Sequence, residues 1–140
     1  MKITSVTSIT GARRLVKRLN ACHDGSLRTV CIRRQRNIDR RSGSLIYPFR
    51  DPTDFVLCDI DMELILNSYA GAKKDQIVRL RFERVRRFTL RQDQQHDSSE
   101  LYEVVTTGDG SRWIRVIFYA TKDRVAAAEL SCETIVCEEL

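Results

Sequence analysis

Residues 54–67 alternate with a period of two. Val56, Cys58, Ile60, Met62, Leu64 and Leu66 share one parity, while Asp59, Asp61, Glu63 and Asn67 occupy the other. A helix would scatter these acids around its barrel, so the pattern specifies a long strand with an apolar face toward a core and an acidic face outward. Gly71-Ala72-Lys73-Lys74-Asp75 predicts a turn, and Ile77 to Leu90 resumes the alternation with Val78, Leu80 and Phe82 on one side. After Phe82 the parity slips, because Val85 comes next and Phe88 and Leu90 return to the original face. A β-bulge near Glu83-Arg84 absorbs the extra residue.

The remaining segments mostly follow the same logic. The polar run 92–99 predicts an exposed loop, and Thr107-Gly108-Asp109-Gly110-Ser111 joins the apolar stretches Leu101–Val105 and Trp113–Ala120 as a hairpin, since Asp and Gly both tolerate positive φ. Val125 to Cys137 is expected as a strand: Ala126-Ala127-Ala128-Glu129-Leu130 favours helix by propensity, but Ala128, Leu130, Cys132, Thr134 and Val136 keep the period of two. Gly11 to Ala21 reads as a short helix started by Thr10, with Leu15, Val16 and Leu19 on one stripe and Arg13, Arg14, Lys17 and Arg18 on the other. Leu27 to Ile32 is a strand entered through the turn His23-Asp24-Gly25-Ser26. Residues 33–44 form a long, mobile hairpin loop, and Pro48 beyond it suits an edge strand or its end. The expected fold is α+β and mainly β: one N-terminal helix and an antiparallel sheet of six to seven strands, curved or folded into two layers.

The chain has 140 residues, which fits one domain. Its opening residues lack the unbroken apolar stretch of a secretory signal, and no window approaches the ~20 apolar residues that cross a bilayer, so a cytoplasmic protein without membrane contact is expected. The five cysteines (Cys22, Cys31, Cys58, Cys132, Cys137) then read as reduced thiols in core strands, and their spacing offers no zinc motif. Glycine-rich phosphate loops, G-x-S-x-G and H-E-x-x-H are all missing, so no cofactor, no metal and no catalytic residue is expected.

Charge is distributed strand by strand. Residues 1–50 hold twelve Lys/Arg against Asp24 and Asp39, a net of +10; residues 51–140 hold twelve against seventeen acids, a net of −5. Within the second part, residues 79–91 carry six arginines against Glu83 and follow the acidic strand directly. Consecutive antiparallel strands are usually neighbours, so Arg79 and Arg81 are expected to pair with Asp59, Asp61 and Glu63. The helix 13–18 and the loop 33–41 are left without such partners. Candidate partner-binding residues are therefore Arg13, Arg14, Arg33, Arg34, Arg36, Arg40 and Arg41, with the acidic face of Asp59, Asp61 and Glu63 as the other option. Nineteen of the 24 basic residues are arginine, whose planar fork suits phosphate as well as carboxylate. Stacking of bases would need exposed aromatics, and Phe82, Phe88, Phe118 and Trp113 all stand where core residues are expected. Two His-Asp dipeptides, His23-Asp24 and His96-Asp97, are weak polar candidates for proton transfer; Asp24 more simply caps the turn ahead of Gly25.

The stretch from His23 to Ile32, with Leu80-Arg81-Phe82-Glu83-Arg84-Val85-Arg86-Arg87-Phe88-Thr89-Leu90, resembles the His-Asp turn, strand and Phe-x-x-Val strand of small bacterial β-rich toxin-immunity proteins (Imm50-like). That resemblance implies an intracellular, non-catalytic binder that masks a toxin. The chain departs from inhibitors of basic nucleases in being basic itself, with pI ≈ 9.1. Three readings follow: a protein-binding module, an RNA- or DNA-binding protein using the arginine-rich helix, loop and strand, and a ligand-binding or enzymatic β domain with a pocket at the sheet mouth.

Overall fold

The computed structural model describes residues 2–34, 37–46, 57–66, 75–91, 100–110 and 112–140. Along the chain run β1 (Lys2–Val6), α1 (Ile9–Arg18), a short 3₁₀ turn (Asn20–Cys22), β2 (Ser26–Arg33), β3 (Asn37–Ile38), β4 (Leu45–Ile46), β5 (Cys58–Leu66), β6 (Gln76–Val85), β7 (Arg87–Leu90), β8 (Glu103–Gly108), β9 (Ile114–Tyr119), β10 (Ala126–Cys132) and β11 (Thr134–Glu139). They form a five-stranded antiparallel sheet in the order β1-β11-β6-β5-β2, a four-stranded antiparallel sheet in the order β7-β10-β9-β8, and the small hairpin β3-β4. The mainly-β, two-layered fold with one helix is the one the alternation specifies.

More strands appear than the six to seven expected: besides the β3-β4 hairpin in the segment expected as a loop, three additions account for the difference. Two runs read as single strands each divide between the sheets: Ile77–Leu90 leaves the first sheet at Arg86, and Val125–Cys137 leaves the second at Glu133. The third addition is β1, whose burial pattern shows only Val6 inside; main-chain bonding to β11, not an apolar face, makes it a strand.

Where the two dividing runs meet, one residue is accommodated. Glu83 stands opposite Thr134 and Arg87 opposite Ser131, so four steps on one side face three on the other. The extra residue is Arg84, at φ 56°, in the predicted bulge position. Such a site favours glycine, and Asp59 offsets the choice of arginine by accepting the Arg84 backbone N–H at 3.0 Å. Main-chain bonds carry the ladder through the corner, Glu133 N–H to the Glu83 carbonyl at 3.1 Å and Arg86 N–H to the Ser131 carbonyl at 3.0 Å.

The inner faces meet in one core. Ile60, Met62, Leu64, Val78, Phe82, Val85 and Ile135 from the first sheet join Val104, Ile114, Val116, Phe118 and Leu130 from the second, and the rings of Phe82 and Phe118 meet edge to face at 6.1 Å. The even residues of β5 are buried as the alternation requires. Ala126 to Leu130 is strand despite its helical propensity, because Ala127, Ala128 and Leu130 are buried between neighbouring strands.

The helix begins two residues before the expected start. Ser8, not Thr10, is its N-cap, with the side chain accepting the Gly11 N–H at 3.1 Å, and Ala12, Leu15 and the capping Leu19 face the core. It also stops short of Ala21. Asn20, Ala21 and Cys22 turn left-handed, with φ of 53°, 53° and 51°, and Asp24 follows at 56°. Burial of Cys22 and bonds from Cys22 N–H to the Leu19 carbonyl and from Leu101 N–H to the Gly25 carbonyl hold this costly turn. Gly25 is required there by space: a Cβ would lie 2.9 Å from the Ile65 carbonyl and 3.0 Å from that of Cys22, both main-chain atoms. The expected hairpin at Asp109-Gly110 is present, with Gly110 at φ 86° and Gly108 paired with Ile114. Phe88 packs against the core as expected, but Leu90 is exposed on edge strand β7 because the run has changed sheets before reaching it. The turn at 71–74, the loop at 92–99 with His96-Asp97, residues 47–56 with Pro48, and Asn67 lie outside the described residues, and so does Arg36. Among the described residues no helix is long and apolar enough to cross a membrane.

Candidate functional site

Register decides the fate of the charges. On the outer face of the first sheet, Glu138, Arg79 and Glu63 fall on one row across β11, β6 and β5, and Val136, Arg81 and Asp61 on the next. Arg79 donates to Glu63 at 3.0 Å and to Glu138 at 3.3 Å; Arg81 Nε donates to Asp61 at 3.0 Å. From the neighbouring strand, Arg33 reaches the second oxygen of Asp61 at 2.9 Å, and Arg28 comes within 3.9 Å of Glu63. The expected cross-strand pairing is thus formed for Asp61 and Glu63, with Arg33 joining at Asp61, whereas Asp59 accepts the Arg84 backbone N–H at the corner. Pairs this open to water contribute little stability individually, but they leave the face electrically matched.

The corner holds a second network. Arg84 Nε donates to Glu133 at 2.7 Å, and Arg112 takes the other oxygen of that carboxylate at 2.9 Å. Arg86 pairs with Asp109 at 2.9 Å and stacks 4.5 Å from the centre of the Trp113 ring, with Arg112 5.0 Å from the same ring. Trp113 is therefore half-buried between two guanidinium groups and not in the core as its apolar surroundings in the sequence suggest. The Ser131 hydroxyl, and next to it Arg86, hold the Asp109 carboxyl below the usual carboxylate range. Arg115 and Glu129 pair at 2.6 Å across β9 and β10.

Other arginines stand apart from these networks. Arg13 and Arg14 project from the exposed face of α1, as the helical stripe requires. Residues 37–46 form a compact hairpin in which Asp39 accepts from the Arg41 N–H at 3.1 Å and the Ser42 hydroxyl at 3.0 Å, turning the Arg40 and Arg41 side chains to solvent. The segment expected as a loop thus contains a hairpin of its own. It follows β2, which ends the first sheet; among the described residues no strand covers its outer edge. Three apolar side chains are open on this edge and hairpin, Ile32 at 50%, Ile38 at 60% and Leu45 at 49% exposure. Residues 26–46 hold six arginines against Asp39 alone, a net of +5, equal to the net charge of the whole chain. Within this segment Arg28 and Arg33 are engaged by Glu63 and Asp61, and Arg40 and Arg41 are the ones turned to solvent.

The weak polar candidates form a local contact. His23 Nδ1 lies 2.5 Å from the Tyr102 carbonyl, its ring meets that of Tyr102 edge to face at 5.2 Å, and Nε2 stands 3.6 Å from Asp24. This arrangement ties the left-handed turn to the start of β8. Four of the cysteines are buried as expected; Cys31 is exposed, because its parity on β2 places it on the outer face beside Asp61. Burial pushes the Cys22 and Cys132 thiols up to about 12 and that of Cys137 to about 11. Among the described residues no group of His, Cys, Asp or Glu is placed to hold a metal ion. Sequence reasoning found the arginine segment by its charge but missed its open apolar residues; the signal was Ile38 inside the run read as loop and Leu45 directly after it. In comparisons with protein families, curated proteins and solved structures, nothing matches this chain.

Proposed function

We propose that the chain is a non-catalytic binding module that receives an acidic, extended segment of another protein along the open edge of β2 and the β3-β4 hairpin. The observation that carries this reading is the coincidence of three features on one segment: an edge that no strand covers among the described residues, the open side chains of Ile32, Ile38 and Leu45, and the solvent-facing Arg40 and Arg41. A strand edge supplies main-chain hydrogen bonds, the apolar side chains supply area, and the arginines select an acidic partner and steer its approach. An immunity-type inhibitor that masks an acidic surface of a toxin is one form of this activity, and it fits a basic inhibitor better than one directed at a basic nuclease.

The same charge would attract nucleic acid, and the surroundings favour protein. Among the described residues no aromatic ring is exposed for base stacking: Phe82 and Phe118 are buried, and Phe88, Tyr102, Trp113 and Tyr119 are half-buried. The test is recovery of a stoichiometric partner from nuclease-treated extract of the source cell, comparing the wild type with the triple variant Ile38→Asp, Arg40→Glu, Arg41→Glu. A protein retained by the wild type and by Arg13→Glu/Arg14→Glu, but lost by the triple variant, supports the edge. Loss of all retained material on nuclease treatment, or equal retention by the triple variant, overturns it.

A further inference from the structure

The cations of α1 are placed differently from those of the sheets. Residues 1–23 hold Lys2, Arg13, Arg14, Lys17 and Arg18 and no Asp or Glu. Arg18 is engaged within the fold, reaching Glu139 and the Thr4 hydroxyl, each at 3.2 Å. Arg13, Arg14 and Lys17 are exposed, and among the described residues no carboxylate pairs with them. On the sheets, by contrast, Arg79, Arg81, Arg84, Arg86 and Arg115 each meet an acid.

The helix gains nothing locally from this arrangement. Lys17 and Arg18 lie in the last turn, where the helix dipole favours cations, but Arg13 and Arg14 stand before it. Arg13 and Lys17 are four residues apart, and so are Arg14 and Arg18. That spacing sets like charges side by side and opposes the helix, and no acid within α1 relieves them. The opposite face holds the helix in place: Ala12 and Leu15 are buried, Leu19 caps the end, and Ser8 accepts the Gly11 N–H at the start. Three free cations are thereby mounted on a fixed rod, so little backbone freedom is lost when they engage an anion.

What the face lacks selects the occupant. Every exposed residue of α1 is polar, namely Thr10, Arg13, Arg14, Lys17 and Arg18, while Ile9 and Val16 pack against the core. A protein interface needs a desolvated apolar centre, and a helix lying on lipid needs an apolar face to insert. A polyelectrolyte needs neither, because each phosphate neutralised releases counterions. Single strands are gripped by stacking their bases on aromatic rings, and among the described residues no ring is exposed. A duplex hides its bases and presents about one charge per 1.7 Å of its axis.

We infer that the outer face of α1 binds the phosphate backbone of double-stranded nucleic acid, without reading its sequence, through Arg13, Arg14 and Lys17. This face lies on a different element from the β2 edge and the β3-β4 hairpin, and it does not rest on the protein-binding reading above.

The experiment is titration of a short fluorescein-labelled DNA duplex of mixed sequence with the full chain, followed by anisotropy. Three phosphate contacts give log K against log salt a slope of about −2.7, so affinity falls about fortyfold as potassium chloride rises from ~50 to ~200 mM. Arg13→Gln with Arg14→Gln reduces the slope by about two, and the fall shrinks to about fourfold. Glutamine is a good helix former and both positions are exposed, so circular dichroism is unchanged and the urea midpoint does not drop. Arg40→Gln with Arg41→Gln leaves the slope where it was. The single strand binds more weakly than the duplex, and about tenfold more polyglutamate than unlabelled duplex, matched by charge, is needed to displace the label. No duplex binding at the lower salt, an unchanged slope in the helix variant, or an equal loss of slope in the hairpin variant overturns the inference. So does a single strand bound more tightly than the duplex, equal displacement by polyglutamate, or binding to phosphatidylglycerol vesicles without binding to the duplex.

Discussion

The outer face of the first sheet and the open edge beside it are built from the same residue type to opposite ends. On the face, Arg79 and Arg81 lie in register with Glu63 and Asp61, and Arg33 at the margin closes the last pair. At the edge, Arg40 and Arg41 are turned outward by a hairpin that uses its single acid, Asp39, to hold its own backbone. Arginine content therefore says little about binding until register is known. What separates a structural arginine from an available one is whether the opposing position carries a carboxylate.

The cysteines draw the same line between face, core and edge, and they give the largest effect. Cys22 and Cys132 ionise at about 12 in the folded chain and near 8.5 when unfolded. The folded state thus holds protons that the unfolded state gives up. Stability is fully present below about pH 8.5 and falls as pH rises toward 12, steeply because several thiols act together. Denaturant midpoints across pH 8 to 11 check this, and Cys132→Ala should flatten the slope. In the native protein near pH 8, Ellman's reagent should modify one thiol quickly, Cys31, and the other four only on unfolding; two or more fast thiols would break the assignment of core and edge.

A smaller effect sharpens the comparison directly. Asp61 serves both Arg81 and Arg33, so Asp61→Ala should cost about 1 kcal/mol, the sum of two open pairs, and a double-mutant cycle with Arg81→Ala should recover about half of it. The smallest change is expected at the edge. Arg40→Ala with Arg41→Ala should alter stability by less than about 0.5 kcal/mol, measured by urea unfolding. Equal losses at Asp61 and at the arginine pair would erase the distinction.

Side-chain alternation made the face legible and left the edge half hidden. A period of two reports burial on one side, so β5, its apolar face and the slip at Glu83-Arg84 could be read directly, and adjacency of consecutive strands supplied the ion pairs. Alternation does not say to which sheet a strand belongs. Arg86 and Glu133 change sheets because of pairing between residues about fifty positions apart, and nothing local marks that distance. β1 left no trace since its contribution is main-chain bonding with a single buried side chain.

The double crossing at Arg86 and Glu133 also bears on how this molecule comes apart. Two adjacent strands pass without a chain break from one sheet into the other, and Phe82 and Phe118 lock the inner faces across the join. Neither sheet can peel away while the other persists, because opening one pulls on the ladder of the other. Slow amide exchange in β6, β10 and β11 should consequently report a single global opening, with the β3-β4 hairpin exchanging early and independently. A partner held at the hairpin would engage the part of the molecule that yields first, mounted on a frame that yields only as a whole.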